Sequence, residues 1–150
     1  MTLWRPASRI RIKALGLHWR GNRLLAAEVT DDSGHVKGVR PLGGSVEFGE
    51  TAETALIREF QEELGITVRP VGPPFFMENL FFHEGMPGHE ILVIFDIDVP
   101  ADTPIPDGRL RLAESDGSIF FADWFDLDAL DVPGGLPLFP TGLKARLRPR

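Results

Sequence analysis

From Thr51 to Leu64 the chain runs without a glycine or a proline, and Gly65 follows directly. Helix formers dominate the run, so the sequence predicts a helix over 51–64 with Gly65 as its stop. At about 100° per residue, Glu63 lies about 40° to one side of Glu59 and Glu62 about 60° to the other. Three carboxylates therefore share one arc. Leu56, Ile57, Phe60 and Leu64 fall on an adjoining arc and form the face that packs inward. Ala52 and Ala55 lie within or beside the acidic arc and leave room above the carboxylates.

Like charges three and four residues apart repel, and something must offset them. Arg58 stands four residues before Glu62 and pairs with it by spacing, but one arginine cannot neutralise three glutamates. A hard divalent cation can, since Mg²⁺ and Mn²⁺ take oxygen ligands and bridge carboxylates to phosphates. A solvated acidic helix face is the other reading of the same cluster. The glycines around the helix, Gly43, Gly44 and Gly49, suit a loop whose backbone approaches a ligand closely.

The rest of the chain reads as short strands. Apolar runs on either side of Gly21-Asn22, from Ile10 to Leu17 and from Leu24 to Val29, predict a hairpin, and Asp31-Asp32-Ser33-Gly34 a second turn. Val36 to Leu42, Ile66 to Val71, Phe75 to Phe82 and Ile91 to Val99 read as strands, the last two antiparallel across a loop from His83 to Glu90. Ala101 to Asp107 is a loop. Leu110, Leu112 and Ile119 to Trp124 suggest further strand, and Gly142 to Leu147 a closing helix started by Thr141 or Pro140. Many strands and two helices predict an α+β fold with a mixed sheet.

A chain of 150 residues fits a single domain over 1–150. Its formal net charge of −6 argues against a nucleic-acid binder, and an anionic substrate then calls for a mediating cation. With no cysteine there is neither a disulfide nor a thiolate metal site. No apolar run is long enough to span a membrane, and Met1 to Arg11 alternates charge with apolarity where a signal peptide would be apolar. A cytoplasmic location is the default expectation.

The segment from Gly44 to Ile66 resembles the Nudix box: Gly44, Glu50, Arg58, Glu59, Phe60, Glu62, Glu63, Gly65 and Ile66 stand at its spacing. Every polar and glycine position agrees. Phe60 departs from the usual aliphatic, but it faces the core, so packing changes and ligation does not. The approach Arg40-Pro41-Leu42-Gly43-Gly44 is similar to the family as well. The resemblance implies an α/β/α sandwich around a mixed sheet. It implies a metal-dependent pyrophosphohydrolase that cleaves a nucleoside diphosphate linked to another moiety, as in a nucleoside triphosphate, a nucleotide sugar or a dinucleotide. Mg²⁺ or Mn²⁺ is the implied cofactor, held by Glu59, Glu62, Glu63 and the Gly43 carbonyl. Glu59 serves as ligand or as general base, Arg58 orients the glutamates, and Glu50 positions Arg58 or water. A Nudix-fold module that binds a nucleotide without cleaving it is the alternative, although such modules usually lose box glutamates. A small-molecule nucleotide is the implied partner, and a homodimer is left open.

Other residues are candidates by position. Glu90, heading a strand after a glycine-containing loop, is the favoured acid outside the box; Glu114 and Asp116 are alternatives. Glu47 sits in the loop that would face the site. His83 and His89 lack an evident third ligand for zinc. Arg40, and less so Arg23 and Lys37, suit phosphate. Phe82, with Phe75, Phe76, Phe81, Trp19 and Trp124, could stack a base. Lys144, Arg146, Arg148 and Arg150 read as a solvated end. The markers of the NADH and dinucleoside polyphosphate subgroups are absent, the latter being a tyrosine that this chain does not contain. The ADP-ribose subgroup's proline is replaced by Phe81 and Phe82.

Overall fold

Alternation along the strands sends successive side chains to opposite faces of one sheet, and the two faces acquire separate cores. Ala14, Leu25 and Val93 pack with the helix residues Ala55, Leu56 and Phe60. Their neighbours Leu15, Leu24, Leu92 and Ile94 pack on the other face with Leu127, Leu130, Leu138 and Leu143. The result is three layers, seen in a computed structural model that describes residues 3–147.

The strands are β1 (Ile10–Leu17), β2 (Trp19–Arg20), β3 (Arg23–Thr30), β4 (Val36–Ser45), β5 (Arg69–His83), β6 (Met86–Asp98), β7 (Leu110–Ala113) and β8 (Ile119–Asp126). Helix α1 (Ala52–Leu64) covers one face; a 3₁₀ turn (Leu127–Ala129) and α2 (Leu143–Arg146) cover the other. The sheet order is β5-β6-β1-β4-β3-β8-β7, with β2 pairing β3. Among the described strands, β1 and β6 pair parallel and the other strand pairs are antiparallel, so the sheet is mixed. Strand β4 pairs with β3 through residues 36–41 and with β1 through residues 42–45. The sheet thus divides into two wings sharing β4, with a cleft opening between β1 and β3.

Thr51 caps α1, its hydroxyl accepting from the Thr54 N–H at 3.1 Å. Gly65, at φ 67°, ends it with an N–H to the Gln61 carbonyl at 2.9 Å. Leu56 and Phe60 are fully buried and Ile57 and Leu64 partly so, which is the face expected from the spacing.

Several expectations need correction. Gly21-Asn22 closes only a short hairpin between β2 and β3; β1 instead lies between β4 and β6. Local apolar runs mark strands but not their partners, and the longer β1 gains more by pairing on both edges. The strand expected over Ile66 to Val71 starts at Arg69 and continues to His83, a bulge between Val71 and Phe75 absorbing Gly72-Pro73-Pro74. The loop expected from His83 to Glu90 is a tight turn at Glu84-Gly85, because Pro87 and Gly88 pair with Phe82 and Phe81. Glu90 therefore lies inside β6 and does not head it. Gly142 precedes α2, with no side-chain cap from Thr141 or Pro140. At the chain end, Lys144 donates to the Leu130 carbonyl at 2.7 Å and Arg146 lies 4.8 Å over the Phe75 ring, so neither is simply solvated. Arg148 and Arg150 lie outside the described residues. No described helix is long and apolar enough to cross a membrane.

Candidate active site

The end of β4 feeds the site through two glycines. Gly43 has φ 153°, and a Cβ there would overlap the Ala14 carbonyl oxygen. At Gly44 the obstacle is Glu59, whose carboxylate occupies the space a side chain would need. Glycine at 44 is thus what brings the acidic arc of α1 against the backbone of β4.

Arg58 ties the incoming loop to that arc. Its guanidinium donates to both Glu50 oxygens, at 2.6 and 3.1 Å, to the Ser45 carbonyl at 3.0 Å and to Glu59 at 3.0 Å. It reaches both Glu62 oxygens at 3.4 Å. Glu50 also accepts the Glu47 N–H at 2.8 Å, which closes the loop on itself. A planar fork of donors suits this bridging and an ammonium would not. The Arg58 guanidinium holds the Glu50 carboxyl below the usual carboxylate range.

Glu59, Glu63 and Glu114 each offer an oxygen within 4.8 Å of the others. Burial pushes the Glu59 carboxyl up, against the opposing pull of Arg58. Burial also drives Glu63 up, to about 9, with the Glu114 and Glu59 charges adding to it. Three crowded carboxylates, Glu59 and Glu63 half-buried and Glu114 exposed, form a hard oxygen donor set that fits a divalent cation. Glu62 is more open, its side chain 43% exposed, and turns toward Arg58. Glu114, in the loop after β7, joins the α1 glutamates; Asp116 instead accepts from the Ser118 N–H and hydroxyl in its own turn.

The acids share a cleft with three cationic side chains. A cavity of about 350 Å³ is lined by Arg11, Lys13, Arg40, Gly43, Gly44, Glu47, Glu59, Glu63 and Glu114. Arg11 donates to the Ser45 hydroxyl at 2.6 Å, and burial with the nearby Arg40 charge lowers the Lys13 amine to about 8. Arg40 forms no ion pair among the described residues, and its charge falls on Glu63 and Lys13. Arg11 and Lys13 went unremarked in the sequence, where only the alternation of β1 hinted that they share a side.

The other sequence candidates disperse. Glu90 is buried beside Lys13 and Asn79 and is not one of the three clustered acids. Phe81 and Phe82 line a separate cavity, Phe82 at its rim and 74% exposed. Trp124 is buried with Arg20 over its ring at 4.0 Å, and Phe75 is covered by Arg146. Arg23 sits near Trp124 and Asp107, away from the acids. His83 lies close to Asp32 and Glu84, but its Nδ1 is 2.7 Å from the Lys37 ammonium and Asp32 is held by Arg5. That group already carries its counter-charges.

The NUDIX domain model matches residues 12–145. No curated protein matches the sequence. Among solved structures, the MutT NUDIX hydrolase from Burkholderia pseudomallei aligns with TM-score 0.59 and 22% identity, over 93% of this chain and 98% of that one. The E. coli ORF135 protein aligns with TM-score 0.56 and 21% identity, over 88% and 82%. The mMutator MutT protein from Bacillus halodurans aligns with TM-score 0.51 and 19% identity, over 91% and 78%. At these identities the structural likeness speaks to the fold.

Proposed function

The chain belongs to the NUDIX domain family, whose hydrolases act on pyrophosphate bonds, and from that premise we propose that it is a metal-dependent pyrophosphohydrolase of a nucleoside diphosphate derivative. A nucleoside triphosphate, a nucleotide sugar or a dinucleotide is the substrate class. The observation that carries the reading is the carboxylate cluster of Glu59, Glu63 and Glu114 at the edge of a cleft lined by Arg11, Lys13 and Arg40. The two halves of that site match the two halves of the task.

Glu59, Glu62 and Glu63, with the Gly43 carbonyl, would hold Mg²⁺ or Mn²⁺. When bound, such an ion neutralises phosphate charge and acidifies water. Arg58 holds Glu59 and Glu62 in orientation, and Glu50 holds Arg58. Arg40, with Arg11 and Lys13, takes the phosphate oxygens. Glu47 borders the same cleft and Phe82 the mouth of the neighbouring cavity. Because Arg58 pins Glu59, the freer Glu114 takes the proton of the attacking water. Glu90 stands outside the three clustered acids, beside Lys13 and Asn79.

The test measures kcat against metal concentration for the wild type, Glu59→Gln and Glu114→Gln. Loss of a ligand raises the metal needed for half-activity. Loss of the proton acceptor lowers kcat with that requirement little changed. Full turnover in excess chelator would overturn the metal dependence, and binding of nucleotides without turnover of any would make the chain a sensor module.

A further inference from the structure

Glu90 is a buried carboxyl group outside the cluster of Glu59, Glu63 and Glu114. It is 4% exposed, and its two polar contacts among the described residues are long: Asn79 Nδ2 donates at 3.3 Å and Lys13 Nζ stands 3.6 Å away. A buried carboxylate is costly unless its lone pairs are well satisfied. An ionised carboxylate offers about four acceptor sites, so these contacts leave capacity to spare. The side chain lies at a junction. It lines a cavity of about 410 Å³ and also the adjoining cleft of about 470 Å³ that contains Arg11, Lys13, Arg40 and Glu114.

The 410 Å³ cavity has aromatic walls, Trp4, Phe81 and Phe139. Two glycines make room for them: a Cβ at Gly88 would overlap the Phe81 ring, and one at Gly38 the Phe139 ring. Flat apolar walls suit a planar ring. The polar groups at its boundary are few: Glu90 and Asn79, paired across β5 and β6, with Lys37, Arg40 and Thr141. A ligand with phosphates at Arg11, Lys13 and Arg40 would place its ring here.

Resting on the nucleotide reading above, we propose that this cavity takes the heterocyclic base and that Glu90 sorts bases by their edge, accepting from an exocyclic amino group and rejecting a ring carbonyl. An ionised carboxylate only accepts. An amino group gives it a charge-assisted hydrogen bond, whereas a carbonyl oxygen in the same place sets lone pair against lone pair with no proton between them. Cytosine and uracil differ at this one exocyclic group and the adjoining ring nitrogen, as do adenine and hypoxanthine.

The experiment compares CTP with UTP and ATP with ITP in two measurements. One is kcat/KM with Mg²⁺; the other is binding to the metal-free protein, read by tryptophan fluorescence. Wild type and Glu90→Gln are run side by side. The wild type should favour the amino-bearing member of each pair by about tenfold to a hundredfold, the range for a hydrogen bond to a charged group. In Glu90→Gln, whose amide both donates and accepts, the ratios should fall toward one. Wild-type ratios near one, or favouring UTP and ITP, overturn the inference, and they need no variant. An equal fall in kcat for all four nucleotides with ratios unchanged overturns it too, by giving Glu90 a part in proton transfer. Binding of none of the four also overturns it. Binding with the expected ratios but no turnover supports the inference while removing the hydrolase reading.

Discussion

The Glu59 carboxylate fills the space that a side chain at Gly44 would occupy: a Cβ there would stand 2.5 Å from both of its oxygens. Gly43, one residue earlier, is constrained by backbone instead, with φ 153° and the Ala14 carbonyl in its way. The two glycines should therefore fail differently. In Gly44→Ala the obstacle is the end of a flexible side chain, so Glu59 moves off Arg58 and the protein stays folded. Activity should drop strongly and the metal requirement rise. Gly43→Ala should lose about 1–3 kcal/mol of stability from backbone strain alone. Thermal melts and metal titrations of both variants check this, and equal destabilisation would contradict it.

The pH dependence of stability should carry a Glu63 signature. Its folded carboxyl keeps its proton to a higher pH than the unfolded chain does. Over that interval the native state binds more protons, so stability is fully present below the ordinary carboxylate range and is lost as pH rises toward about 9. The metal-free melting temperature should fall across this window. In Glu63→Gln the fall should be shallower, and an unchanged slope would remove Glu63 as its source.

Magnesium should reverse that trend. An ion needs the deprotonated carboxylate, so binding releases a proton and strengthens as pH rises. The increase in melting temperature on adding Mg²⁺ should be larger at about pH 8 than at about pH 5.5. Isothermal titration in two buffers of different ionisation heat would report the released proton directly.

Arg58→Lys should keep a positive charge and lose most activity. A lysine cannot serve both Glu50 oxygens, Glu59 and the Ser45 carbonyl at once. The side chain is about one-third exposed, so the stability loss should stay near 1 kcal/mol. A lysine variant with wild-type kcat/KM would show that charge alone suffices.

What the sequence made legible was local. The helix, its glycine stop, the inward face of Leu56 and Phe60 and the shared arc of Glu59 and Glu63 all follow from spacing within one element. The partnership of Glu114 with that arc does not, because it depends on how the loop after β7 returns over α1, a contact between residues far apart in the chain. Glu90 shows the same limit from the other side: the glycine-containing stretch before it suggested the exposed head of a strand, and only pairing with Asn79 across β5 and β6 reveals a buried residue within β6. Arg11 and Lys13 were invisible as site residues because strand alternation does not say which face meets the acids.

The placement of β1 between β4 and β6 has a kinetic consequence. The strand that carries Arg11 and Lys13 precedes the β3–β4 hairpin and α1 in the chain, yet its parallel partner ends at Asp98. Parallel pairing across so long a stretch of chain costs loop-closure entropy before it returns any contact energy. On the ribosome β1 should therefore remain single-edged until β6 has emerged. Pulse-labelled hydrogen exchange during refolding should find α1 and the β3–β4 hairpin protected early and the amides shared by β1 and β6 protected last, so that the cationic side of the cleft is the final part of the molecule to be assembled.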